Sequence, residues 1–281
     1  MAEMAILYDS SKCTACKGCQ VACKQWNQLP SPLVADEYEF TKSYQSPLDL
    51  APNTWLIINF DEVDQDVGIE WNFTRNSCFH CTDAACEMAC PVGAISHADN
   101  GAVVIDQDKC IGCQYCVNSC PFGVPKWLEP ANAAAPKGRE NKSYKCWLCQ
   151  DRLANDMLPA CVNTCPTGAL SFGERADMVE QAKARAEELK GRGFQNAEVY
   201  GVDELGGLHV LIVAHRGIEA HGLLKDPKVP DMVNAWQALK PIGGVAAAAV
   251  FGGLLISFLT GIGYEREPVE ATSASGSEGV E

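Results

Sequence analysis

Four thiols stand within eleven residues at Cys13, Cys16, Cys19 and Cys23, separated by two, two and three residues, and the same spacing returns at Cys110, Cys113, Cys116 and Cys120. Two variants complete the set. Cys78, Cys81, Cys86 and Cys90 widen one gap to four residues, and Cys146, Cys149, Cys161 and Cys165 widen one to eleven. These groups take up all sixteen cysteines of the 281-residue chain. Disulfides, zinc and iron–sulfur clusters all use grouped thiols. A C-x2-C pair is better placed to hold metal than to staple a fold, and zinc accepts four thiolates from two such half-sites. Neither chemistry needs the full run of four, nor the proline that follows Cys90, Cys120 and Cys165 (Pro91, Pro121 and Pro166). A 4Fe–4S cube accounts for both. A tight loop supplies three thiolates, and a fourth cysteine, followed by proline, serves the neighbouring cluster. Four 4Fe–4S clusters are therefore expected, with sixteen cysteines as iron ligands.

The flanking sequence says which elements must position these thiols. "AILYDSSKC" and "AVVIDQDKC" each read as an alternating strand, an aspartate and a loop, whereas "CPVGAI" and "CPTGAL" each read as a turn into a short strand. A bacterial two-cluster ferredoxin runs loop, C-P-x-G-A-I strand, second strand, loop, and residues 78–124 follow that order. The first and fourth groups complete the same unit only if the end of the segment returns to its start. The expected fold is α+β: an inner ferredoxin-like module at 78–124 nested in an outer one made of 1–23 and 141–175. Exchange of the fourth ligand gives Cys78, Cys81, Cys86 with Cys120, and Cys110, Cys113, Cys116 with Cys90, in the inner module. It gives Cys13, Cys16, Cys19 with Cys165, and Cys146, Cys149, Cys161 with Cys23, in the outer. Lys12, Lys17, Lys24, Lys109 and Lys145 flank the loops, where they either offset cluster charge or form ordinary solvated surface.

Elsewhere, "NTWLIINF" and "GIEWNF" predict a β-hairpin within an insertion at 24–77, with Trp55 and Trp71 in the core. The Pro-, Ala- and charge-rich stretch at 125–140, running on to 145, reads as an exposed loop. Residues 176–240 hold a helix with early acids, late bases and a stop at Gly191, then the buried strand "LHVLIVAH" and a linker. His80, inside "CFHC", is expected to hydrogen-bond near a cluster, and His97, His209, His215 and His221 show no ligand spacing with one another. Residues 241–264 carry no charge over a length that spans a bilayer core. Pro241 suits the first turn of such a helix, and Gly244, Ala248 and Gly252 form a small-residue face for close packing in a membrane. The acidic tail at 265–281 reads as disordered.

A net charge of −14 argues against a nucleic-acid partner. The start of the sequence lacks the basic and apolar regions of a leader peptide. No Gly-rich nucleotide loop, nucleophile motif or further metal cluster marks a catalytic site, so the expected role is relay of single electrons between partners. The four cysteine groups resemble those of iron–sulfur subunits of molybdopterin oxidoreductases. "SKCTACKGCQVACKQWN", "CPTGALSFG", "HGLLKDPKV" and "ALKPIGG", followed by one span, resemble the β subunit of membrane-bound respiratory formate dehydrogenase over Ile6 to Gly263. The resemblance implies two partners: a large catalytic subunit with a molybdenum or tungsten bis-pterin that oxidises formate, and a membrane cytochrome b subunit that passes electrons to quinone. It also implies a single-pass anchor in the inner membrane and a periplasmic head exported with the catalytic partner. Lys225, Lys228 and Lys240 before the span, against Arg266 after it, point the other way, but large folded domains follow the positive-inside rule poorly. Two alternatives stand beside this reading: the iron–sulfur subunit of a hydrogenase or sulfur-compound reductase, and a zinc-bearing structural protein.

Overall fold

A computed structural model describes residues 2–30, 43–65, 68–129 and 140–261. In chain order the regular elements are β1 (Met4–Asp9), α1 (Gly18–Trp26), β2 (Leu56–Gln65), β3 (Gly68–Ser77), α2 (Ala85–Met88), β4 (Ile95–His97), β5 (Val103–Ile105), α3 (Tyr115–Ser119), β6 (Lys126–Leu128), β7 (Lys142–Tyr144), α4 (Gln150–Leu153), α5 (Ala160–Asn163), β8 (Leu170–Glu174), α6 (Arg175–Gly191), β9 (Glu198–Tyr200), β10 (Val210–Ala214) and α7 (Asp231–Gly261). The chain divides into two units, residues 1–235 and 236–281.

In the first unit the ferredoxin pattern occurs twice. Within residues 78–124, β4 and β5 pair antiparallel with Ile95 opposite Ile105, and α2 packs against α3. Ala84, Cys86, Ile95, Val103 and Cys116 close a small core there. Around that segment, β1 pairs antiparallel with β8, Met4 opposite Glu174, and α1 packs against α5. The two pairs of elements occupy the same places in their respective modules.

The outer pair is extended into a sheet of order β8-β1-β10-β9, in which β10 lies parallel to β1. Successive side chains of a strand point to opposite faces. Ala5, Leu7, Leu211 and Val213 therefore pack under α6, against Met178, Ala182, Ala186 and Leu189, whose three- and four-residue spacing makes one helix face. Ile6, Tyr8, Val210 and Ile212 point the other way, into the core that contains Cys19, Cys23, Cys146 and Cys161. Covered on both faces, β10 reads as the unbroken apolar run Val-Leu-Ile-Val-Ala.

Two expectations need correction. The stretch at 125–145 is not all exposed loop. Its ends form β6 and β7, paired from Lys126–Tyr144 to Leu128–Lys142, and Leu128, Ser143, Tyr144 and Lys145 are buried. Tyr144 stacks on Trp55 with ring centroids 6.3 Å apart, which draws the strand inward, while residues 130–139 lie outside those described. Trp71 is also not core. On the outer part of the β2–β3 hairpin it is 42 % exposed, in an aromatic group with Tyr44, Phe60 and Phe73.

In the second unit α7 continues to Gly261. The expected span at 241–264 falls partly outside what is described, namely the side chains of 241–248 and all of 262–264. Among the described residues no helix is long and apolar enough to cross a membrane. The tail at 265–281 is likewise outside.

Candidate metal centres

Each C-x2-C loop opens with the same backbone feature. The residue before its second cysteine is left-handed in all four groups: Ala15 (φ 52°), His80 (φ 50°), Gly112 (φ 71°) and Leu148 (φ 59°). Only glycine adopts this conformation without cost, so three loops carry strain of about 1 kcal/mol or more. The bend folds the loop onto its own thiol, and the Ala15 N–H donates to Cys13 Sγ at 3.4 Å. Lys17 and Gln114, each just after a second cysteine, are also left-handed and lead into α1 and α3. Asp9 and Asp106, each four residues before the first cysteine of its group, accept backbone N–H bonds from Ser11 (3.0 Å) and Asp108 (2.9 Å) and fix the approach to the loop.

All sixteen cysteines are free thiols. Cys78, Cys81, Cys86 and Cys120 line one cavity, together with Phe79, Phe122 and Lys145. A second is lined by Cys90, Cys110, Cys113 and Cys116. Cys13 has Cys16 and Cys165 as its thiol neighbours, and Cys19 has Cys161 and Cys13. Cys23 has Cys146, Cys161 and Cys149. The fold thus lines two cavities with a quartet each, three cysteines from one sequence group and one from another, and gathers the cysteines of the first and fourth groups beside one another. Among the described residues no three of His, Cys, Asp and Glu stand close enough to hold a single metal ion directly. The quartets are what the fold offers to metal.

Burial raises the thiol pKa of Cys19 and Cys149 to about 12 and that of Cys23 well above the ordinary value. Thiolates in these places need a strong cationic partner, and iron supplies it while displacing the protons. The strongest observation on fit is a pair of buried cations. Arg75 is 1 % exposed and Lys145 4 %. Among the described residues neither forms an ion pair with a carboxylate. Lys145 Nζ donates to the carbonyls of Val103 and Cys146, and the ionisable groups that hold its pKa up against burial are the thiols of Cys78, Cys86 and Cys146. An isolated buried ammonium or guanidinium costs several kcal/mol. A cube with four thiolates carries net negative charge and is the counter-ion such a position requires. Of the lysines beside the loops, Lys145 is buried where it would offset the charge of a bound cluster, whereas Lys109 pairs with Asp106 on exposed surface.

His80 is fully buried between Cys78 and Cys81, and its Nδ1 accepts the Val103 N–H at 3.0 Å, tying the second group to β5. His215 and His221, unrelated by spacing, meet in space. His221 Nε2 lies 3.2 Å from His215 Nδ1, and Ser10 Oγ is 2.7 Å from the latter. This group ties the segment after β10 to β1 and holds no metal-binding set. Sequence reading missed both Arg75 and this contact, since neither has a periodicity or motif to betray it.

Paired cysteine quartets on a twice-used ferredoxin framework define an iron–sulfur protein of the dicluster class. Residues 69–175 match a family model described as a 4Fe-4S dicluster domain, and residues 12–94 match a second of the same description. The nitrate-inducible formate dehydrogenase iron-sulfur subunit of Escherichia coli (strain K12) is 40 % identical over 272 residues, covering 95 % of this chain and 87 % of the relative. The formate dehydrogenase iron-sulfur subunit of Haemophilus influenzae is 40 % identical over 260 residues, 91 % of this chain and 78 % of that one. Formate dehydrogenase 2 subunit beta (cytochrome c-553) of Nitratidesulfovibrio vulgaris is 33 % identical over 216 residues, 74 % and 92 % of the two chains. The chain belongs to the family of formate dehydrogenase iron–sulfur subunits.

Proposed function

We propose that this chain is the electron-transfer subunit of a formate dehydrogenase, carrying four 4Fe–4S clusters and no catalytic site of its own. The observation that carries the reading is the gathering of the sixteen thiols by the fold, with the buried, otherwise uncompensated cations Arg75 and Lys145 beside three of the proposed quartets. When bound, each cluster supplies a one-electron acceptor and donor. The ligand sets are Cys13, Cys16, Cys19, Cys165; Cys23, Cys146, Cys149, Cys161; Cys78, Cys81, Cys86, Cys120; and Cys90, Cys110, Cys113, Cys116. The protein's own part is to fix the four positions, exclude water from the most buried quartet and hold positive charge beside it.

The two modules are nested as the strand pairing of β1 with β8 and β4 with β5 suggests. The partner that supplies electrons is a catalytic subunit oxidising formate at a molybdenum or tungsten pterin, and the partner that receives them is a membrane cytochrome b. Residues 241–264, free of charge and continuous with α7, anchor the chain in the inner membrane with the head in the periplasm. Support for these finer points is the naming of the relatives and the uncharged sequence of the segment.

Anaerobic purification in detergent through this chain, with metals counted and reduction followed by EPR, tests the reading. About sixteen irons per chain, a co-purifying pterin subunit and clusters reduced by formate are the expected result. The same iron without a response to formate would move the chain to another oxidoreductase, and zinc in place of iron would end the proposal.

A further inference from the structure

Arg75 comes from the last part of β3, outside every cysteine group, and is among the largest fully buried side chains of the protein. Its Nη1 donates to Ser77 Oγ. Nε and Nη2 meet no oxygen or nitrogen partner. The ionisable groups about it include the thiols of Cys161, Cys146 and Cys19, with Cys23, Tyr8 and His80 also within its field. Cys146 and Cys161 belong to one quartet and Cys19 to another, so the guanidinium stands between two cluster sites and faces both. A guanidinium stays charged at every working pH, and in a region closed to water its field is poorly screened.

We propose that Arg75 is a fixed positive charge shared by the two outer clusters, which raises the reduction potential of both relative to a chain lacking it. The proposal rests on the cluster assignment above. The physical reason is that each cluster becomes more negative by one unit when it accepts an electron. A cation held against both sites favours the reduced form of either, and an electron moving from one to the other never leaves its neighbourhood. The exposed lysines beside the loops cannot do this. Lys109, 64 % exposed at its side chain and paired with Asp106, is screened by water.

The test is an EPR-monitored redox titration of Arg75→Gln, Arg75→Lys and Lys109→Gln in the intact complex, with iron counted in each. Arg75→Gln is expected to retain sixteen irons and to make two of the four clusters harder to reduce by at least tenfold in equilibrium constant, about 59 mV for a one-electron couple. The other two should stay within threefold, Arg75→Lys should restore most of the shift, and Lys109→Gln should move nothing. A fully loaded Arg75→Gln whose four potentials are unchanged, or all displaced alike, overturns the proposal. If Arg75→Gln fails to load iron but Arg75→Lys loads fully with near-native potentials, charge is the requirement and the proposal stands. If both fail to load, the guanidinium is needed for its shape, and the proposal falls. A wild-type chain without sixteen irons would sink the cluster assignment instead, independently of Arg75.

Discussion

Thr74 Oγ1 and His221 Nδ1 lie 2.9 Å apart across 147 residues of sequence. The threonine hydroxyl also reaches the His221 carbonyl at 3.1 Å, which occupies its proton. With that proton engaged, Nδ1–H of His221 donates to Oγ1, and Nε2 faces His215 Nδ1 at 3.2 Å and Ser10 Oγ at 3.3 Å.

A pH dependence follows. Burial, then the nearby His215 and Arg216, push the pKa of His221 down to about 4, against about 6.5 when unfolded. The unfolded chain binds the extra proton first, so stability is fully present above pH 6.5 and falls as the pH drops toward 4. The loss at the lower end is about 3 kcal/mol from this group. Burial lowers His80, His209 and His215 in the same direction. Denaturant midpoints measured from pH 7.5 to 4.5 should fall steeply for the native chain and less steeply for His221→Asn. Equal slopes would mean that His221 is not the buried neutral group.

Replacing Cys165 with Ala should remove the cluster held by Cys13, Cys16 and Cys19 and spare the one served by Cys146, Cys149 and Cys161. The fourth group is the near neighbour in sequence, but Cys165 is a thiol neighbour of Cys13. EPR of the reduced variant identifies which signal is missing, and loss of the other cluster would refute the exchanged ligand.

Gly112, between Cys110 and Cys113, has φ +71°, and a Cβ there would sit 2.1 Å from the Asn141 carbonyl oxygen, a backbone atom that cannot step aside cheaply. Gly112→Ala should cost more than about 2 kcal/mol, combining left-handed strain with the clash. It should also weaken iron retention at the site of Cys90, Cys110, Cys113 and Cys116. Gly123→Ala is the control: φ is +61°, but nothing lies within 4 Å of the added carbon, so only about 1 kcal/mol is expected. Thermal unfolding and iron counts on both variants decide the matter.

Removing iron leaves Arg75 and Lys145 buried without the cluster charge beside them, and burial raises the pKa of Cys19, Cys86 and Cys146 among the thiols around them. The first unit should then lose tertiary structure, because an unpaired buried charge costs several kcal/mol against a small net stability. Circular dichroism and limited proteolysis after oxidative chelation should show opening of residues 1–235. Reconstitution should release protons, measurable in weakly buffered solution.

The sequence was most legible where one constraint acts locally. Cysteine spacing, the aspartate before two of the loops, the apolar run of β1 and the acid-to-base polarity of α6 can each be read within a dozen residues; the alternation expected of β1 is absent because both its faces are covered. Trp71 was misplaced because an aromatic side chain in a strand looks alike whether it faces the core or joins an outer cluster with Tyr44. Residues 126–128 and 142–144 looked like loop because they are three residues each, and their burial depends on Trp55, far away in sequence. Arg75 was invisible for a different reason. An arginine in a strand reads as surface, and only the convergence of three thiols from distant groups makes it a buried charge.

The pairing of β1 with β8 and β10 also bears on how the protein is made. During translation the thiols from Cys78 to Cys120 can meet as soon as that segment leaves the ribosome. With the proposed ligand sets, Cys13, Cys16 and Cys19 must wait for Cys165, and the sheet that backs them is not closed until Ala214 has emerged. The first cysteines synthesised are thus among the last to find their partners. Until then they remain exposed, oxidisable groups that the cell has to guard.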